Sequence, residues 1–223
     1  MSKQLPAVFA GSLALLVGGW SLAEAATFTS PLPYTSAADI PAGFYDTGTP
    51  TFLEDFEDGS LDGGMTASTG VVIAPSGITD SVDADDGAID GSGQAGRSFF
   101  SGSGAAGITF TFATPVTAAG IVWTDGFGTI TFEAFGPGMI SLGTVSGMHA
   151  DGSITGTTGE DRFYGVTHDL GILAIKLSNT GGGIEVDHVQ YGNSGAAAPI
   201  PVPAAIPLFL SGMATLRLAR RRA

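Results

Sequence analysis

Apolar and polar positions alternate with period two along much of the chain. In Ile108-Thr-Phe-Thr-Phe112, the side chains of Ile108, Phe110 and Phe112 share one face and Thr109 and Thr111 the other. That pattern predicts a strand with one face in a core and one nearer water. Strand-length runs follow at Gly120–Thr124, Thr129–Phe135, Met139–Leu142, Arg162–Val166, Ile172–Leu177 and Ile184–Tyr191, separated by Gly-rich turns. No stretch carries a three-turn amphipathic helix. Short strands at this spacing predict an all-β domain over residues 27–192, an antiparallel two-sheet sandwich of the jelly-roll kind. Phe110, Phe112, Trp123 and Phe132 are its expected core.

Two segments break the pattern. Residues 1–26 have a basic start at Lys3, an apolar stretch through Leu13, Leu15, Leu16 and Val17, and the small-x-small triplet Ala23-Glu24-Ala25. This is the arrangement of a cleavable secretory signal peptide. At the other end, Asn193–Pro199 reads as a flexible linker into residues 200–223. There an apolar stretch from Ala204 to Leu216 is followed by Arg217, Arg220, Arg221 and Arg222. As a helix it would measure about 20 Å against a hydrocarbon core of roughly 30 Å. A short transmembrane helix results only if Arg217 snorkels, with the basic end held on the cytoplasmic side.

The ordered tail, with Ile200, Pro201, Val202, Pro203, Ala204 and Ala205 ahead of the apolar stretch and basic terminus, resembles the PEP-CTERM class of bacterial sorting signals, in its VPLPA-type variant. It departs from the variant in having Val202 in place of Leu, and Arg217 interrupts the apolar stretch early. The resemblance implies a Gram-negative host with an exopolysaccharide matrix, an exosortase-type processing enzyme as partner, and at least transient membrane anchoring. The expected location is the cell envelope or the exterior. Tails of this kind also carry the label of an ice-binding-protein C-terminal domain, which alone does not make the body bind ice.

Composition narrows the classes further. Of 223 residues 35 are Gly, only 13% are charged and none is Cys, which excludes a coiled coil, a disulfide scaffold and a thiol nucleophile. Between Thr27 and Ala198 three Lys and Arg face 20 Asp and Glu, a body charge of −17 that excludes nucleic acid as a partner. So many uncompensated carboxylates must be solvated, partly protonated or bound to cations.

Leu53-Glu-Asp-Phe-Glu-Asp-Gly59 reads as a strand with Glu54 and Phe56 on one side, Asp55 and Glu57 on the other, and Asp58 at its end. An early strand of this type beside a late one such as Ile184–Val189 resembles extracellular jelly rolls of the carbohydrate-binding-module kind. In those, first- and last-strand carboxylates can share a structural Ca²⁺; the resemblance implies Glu57, Asp58 and Asp187 as metal ligands, against the alternative of a solvated acidic edge. A second stretch, Asp80–Asp90, holds five aspartates. It fails the EF-hand pattern, since Ala88 and Gln94 stand where Gly and Glu are required, leaving an irregular cation loop or a hydrated turn.

Catalytic patterns are thin. No Gly-x-Ser-x-Gly elbow is present, and Ser92 reads as a loop serine. His149, His168 and His188 are dispersed, and His188 beside Asp187 reads as a strand histidine at a sheet surface. Tyr164 and Tyr191 could meet sugar, and Glu160–Gly165 suits a ligand-facing loop or an Arg–carboxylate clamp equally well. The function expected is a non-enzymatic exported surface or matrix protein that could bind exopolysaccharide. The alternative is a secreted polysaccharide-acting hydrolase with an unrecognised carboxylate pair.

Overall fold

The computed structural model describes residues 25–84, 95–154, 156 and 158–195. Nearly all of the expected signal peptide, the sorting motif Ile200–Ala205, Ser92 and the later half of the second acidic stretch lie outside them. The described chain is built on β-strands joined into one curled antiparallel sheet: β1 (Thr27–Phe28), β2 (Leu32–Pro33), β3 (Phe52–Glu54), β4 (Met65–Ala67), β5 (Val71–Ile73), β6 (Ser98–Ser101), β7 (Ile108–Gly136), β8 (Ile140–Gly147) and β9 (Arg162–Gly192). Helical structure among the described residues is confined to single 3₁₀ turns, and no helix there is long and apolar enough to cross a membrane.

The seven strand-length runs fall within only three strands, because β7 and β9 run through the intervening turns. Each changes partner along its length. The middle of β9 pairs on one edge with the start of β7, Phe110 opposite Ile175, and on the other with its end, Phe132 opposite Leu177. Reciprocally, Ala119 in the middle of β7 lies opposite both Val166 and Tyr191, near the two ends of β9. The bends fall where the chain tolerates them. Pro115 lies within the register shift between Thr111 and Val116, and Gly171 and Gly182 take φ of 97° and 64°, a left-handed region that a side chain disfavours.

The curl encloses a core of Ile108, Phe110, Phe132, Ile121, Trp123, Val186 and their neighbours, with all four expected core aromatics buried. A second apolar cluster joins Ala118, Val122 and Phe163 to Tyr34, Phe44, Tyr45 and Val82. The middle of β7 is thus covered on both faces, which explains why Ala118–Trp123 reads as an unbroken apolar run where an alternating one was the rule.

The strand read over Leu53–Gly59 stops at Glu54. Phe56 takes a φ of 60° and its N–H donates to Glu54 Oε1 at 2.8 Å, so the chain turns there. Glu54 and Phe56 are nonetheless both buried, as the alternation implied. β3 lies antiparallel to the end of β9, Glu54 opposite Val189, the early-to-late strand pairing expected from the sequence.

Candidate functional site

The last part of β9 reads Ile184-Glu-Val-Asp-His-Val. Ile184, Val186 and Val189 enter the core, which sends Glu185 and Asp187 to the opposite face, where both are buried. Each carboxylate takes a main-chain N–H from the start of the second acidic stretch. Asp80 N donates to Glu185 Oε1 at 2.7 Å, and Val82 N to Asp187 Oδ2 at 2.9 Å. Residues 80 and 82 are thus spaced as 185 and 187 are, and two side chains do the work of a strand edge. Ser98 Oγ adds a short hydrogen bond to Glu185 Oε1, and His188 N donates to Asp187 Oδ1 at 2.7 Å.

His188 corrects its expectation. It is buried, not at a sheet surface, with φ at 45°, and both ring nitrogens are engaged: Nδ1 with Tyr34 Oη at 3.0 Å and Nε2 with Asp83 Oδ2 at 3.0 Å. Burial alone pushes the imidazole down, but Asp187, Asp83 and Asp55 outweigh it and hold its pKa above the ordinary value. Burial pushes Asp187 up to about 8, with His188 opposing and Asp83 assisting.

Asp83, Asp187 and His188 each bring a ligand atom within 4.8 Å of the others, the metal-capable group found among the described residues. Of the three ligands expected from the sequence, only Asp187 belongs to it. Asp58 Oδ1 accepts from Ser60 N at 2.8 Å and closes its own turn, while Glu57 Oε1 accepts from Arg97 N. Two carboxylates and an imidazole suit a transition-metal ion such as Zn²⁺ or Mn²⁺ better than Ca²⁺, which takes six to eight oxygens.

A second feature lies further along the same strand. Among the described residues, a cleft of about 420 Å³ is walled by Ile73, Ile78, Phe100, Phe127 and Ile154, with Asp125 and Glu185 among its lining. A register shift between Trp123 and Asp125 brings Asp125 directly opposite Glu185. Asp125 is 7% exposed and its Oδ1 has no hydrogen-bond partner. Burial pushes Asp125 up to about 6 and Glu185 up to about 7, and each raised carboxyl also feels nearby acids: Asp151 acts on Asp125, and Asp125 on Glu185. Phe100 lies over Gly183, where a Cβ would come within 2.6 Å of its ring.

In the segment Glu160–Gly165, Arg162 acts electrostatically on the Glu160 carboxylate. Glu160 is buried, accepts a short hydrogen bond from Asp151 N, and is pushed by burial up to about 8. Arg162 Nη1 donates to the main-chain oxygen of Asp161 at 2.7 Å. Tyr164 is buried, its Oη 3.3 Å from His149 Nε2. Sequence reasoning missed Asp125 and Tyr34, whereas Asp83 lies in the second acidic stretch, read from the sequence as an irregular cation loop or a hydrated turn. Asp125 had one signal, an acid ending an otherwise apolar run; Tyr34 had none.

A scan against models of known protein families finds no match, and no curated protein matches the chain.

Proposed function

We propose that the chain is a non-enzymatic, exported surface or matrix protein whose body binds glycan in the cleft beside Asp125 and Glu185. The observation that carries this reading is the cleft itself. It pairs apolar and aromatic walls, suited to the CH faces of sugar rings, with a few convergent polar groups, the usual make-up of a small-ligand site. The body would then be two packed layers of the jelly-roll kind. One joins the middle of β9 to the ends of β7 and β8, and the other joins the middle of β7 to the ends of β9. The tail, with its Ile200–Ala205 motif, would be handled by an exosortase-type enzyme, anchored transiently in the membrane and delivered to an exopolysaccharide matrix. A divalent cation at Asp83, Asp187 and His188 belongs to the same proposal, with Zn²⁺ or Mn²⁺ ranked above the Ca²⁺ suggested by the sequence.

One observation favours a second reading. Asp125 and Glu185 face each other across adjacent strands, the kind of carboxylate pair a glycoside hydrolase requires. A glycan-binding screen of the full chain, run beside a hydrolysis screen on the glycans retained, separates the two. Binding without release of reducing ends supports the module; turnover lost in Asp125→Asn supports the hydrolase.

A further inference from the structure

The residues lining the cleft include two carboxylates and no Lys, Arg or His. Its surroundings deepen the imbalance. Asp125 feels the charge of Asp151, and Glu160 feels both Asp151 and Asp125. Arg162 is the cation that bears on this group, and it acts on Glu160. Glu185 receives Asp80 N and Ser98 Oγ on one oxygen, whereas the buried Oδ1 of Asp125 receives nothing. A buried acceptor without a donor costs free energy that a suitable ligand would recover.

The choice among sugar classes follows from charge. A uronate or sulfated sugar would bring a third negative charge to two adjacent carboxylates inside an apolar cleft, on a body already at −17 from three bases and 20 acids. A neutral hydroxyl would donate one hydrogen bond and leave the carboxylates repelling each other. An ammonium group would donate three, carry the compensating charge, and reach both acids at once. We propose, resting on the glycan-binding reading above, that the cleft takes a sugar residue bearing a free amino group, its ammonium between Asp125 and Glu185 and an apolar ring face against Phe100 and Phe127. This assigns Asp125 and Glu185 as specificity-determining residues that select cationic over N-acetylated and acidic glycans.

The test is titration calorimetry of the full chain at pH 7 with three probes of equal length: a glucosamine oligomer, an N-acetylglucosamine oligomer and a galacturonate oligomer. The glucosamine oligomer should bind at least ~10-fold more tightly than the acetylated one, equivalent to about 1.4 kcal/mol, and the galacturonate should not bind. The preference should vanish in Asp125→Asn, a substitution that disturbs no hydrogen bond of Oδ1. Phe100→Ala, on the exposed rim, should weaken all sugar binding while leaving the circular dichroism spectrum unchanged. Equal affinity for the amino and acetylated oligomers overturns the inference and leaves glycan binding standing. A preference that survives Asp125→Asn overturns the assignment of the residue. Binding of none of the three oligomers overturns the glycan reading itself.

Discussion

His188 Nε2 stands 3.0 Å from Asp83 Oδ2 although 105 residues separate them, so the end of β9 holds the start of the second acidic stretch through a side-chain bond. Asp187 does the same through the main chain. Both of its oxygens accept N–H groups, from Val82 and His188, in a fully buried position.

Asp187→Asn is therefore expected to destabilise the protein. The amide can accept through only one of its two heavy atoms, and turning its NH₂ toward a main-chain N–H leaves a buried donor facing a donor. Losses of this kind run to about 1–3 kcal/mol. Urea unfolding should show a lower midpoint at unchanged slope; an unaltered midpoint would mean that Asp187 does not hold the 80–82 segment.

Stability should fall as pH rises through neutrality. Asp125, Glu185, Glu160 and Asp187 have folded-state values of about 6, 7, 8 and 8, all raised chiefly by burial above those of the unfolded chain, and His188 is raised as well. Groups with raised values contribute stability that is complete below their unfolded pKa and lost as pH climbs through the folded one. The protein should melt at least ~3 °C higher at pH 5 than at pH 8.5 in scans at constant ionic strength. A higher melting temperature at pH 8.5 would show that these carboxyls ionise freely in the fold.

The Asp83, Asp187 and His188 group makes a prediction about ion identity. After chelation, millimolar Mn²⁺ or micromolar Zn²⁺ should raise the melting temperature more than millimolar Ca²⁺ does. A ligand at a hundredfold excess over its Kd adds about 2.7 kcal/mol. His188→Ala should abolish the rise. A rise with Ca²⁺ alone, retained in His188→Ala and lost in Glu57→Ala or Asp58→Ala, would restore the oxygen site read from the sequence.

Removing residues 199–223 should abolish retention at the cell surface without unfolding the body. Core packing in the described chain draws on residues up to Tyr191, so the deletion removes none of it. Surface-bound truncated protein in fractionated native cells would refute the sorting role, and a lost cooperative melt would show that the tail supports the body.

Much of this architecture was legible in the sequence, for physical reasons that differ between segments. Ile108–Phe112 announces itself because one face meets a core and the other does not. The same rule fails at Ala118–Trp123, which is covered on both sides, and at Leu53–Gly59, where alternating burial survives although the backbone leaves the strand at Phe56. Asp187 could be picked out as a late acid on an inward-outward strand. The partners of its neighbour His188 could not be paired with it from the sequence, because Asp83 and Tyr34 reach His188 across 105 and 154 residues through side chains that no local pattern couples. Asp125 was hidden by a register shift that turns it toward Glu185, a feature that period-two reasoning by itself cannot anticipate.

The reciprocal pairing of β7 and β9 governs when the protein can fold. Each is the template for the other, and β1, β2, β3 and β6 add directly to β9. Until residue 192 has left the ribosome, the early strands have only the β4–β7, β5–β6 and β7–β8 pairings to form, and the pairing that joins them into one sheet is missing. Such a topology, dominated by contacts distant in sequence, closes late and all at once. Under the export proposed above, delay would be an advantage: the polypeptide would stay threadable throughout its synthesis, and the interval of risk would fall afterwards, when unpaired strand edges are exposed to one another and to proteases.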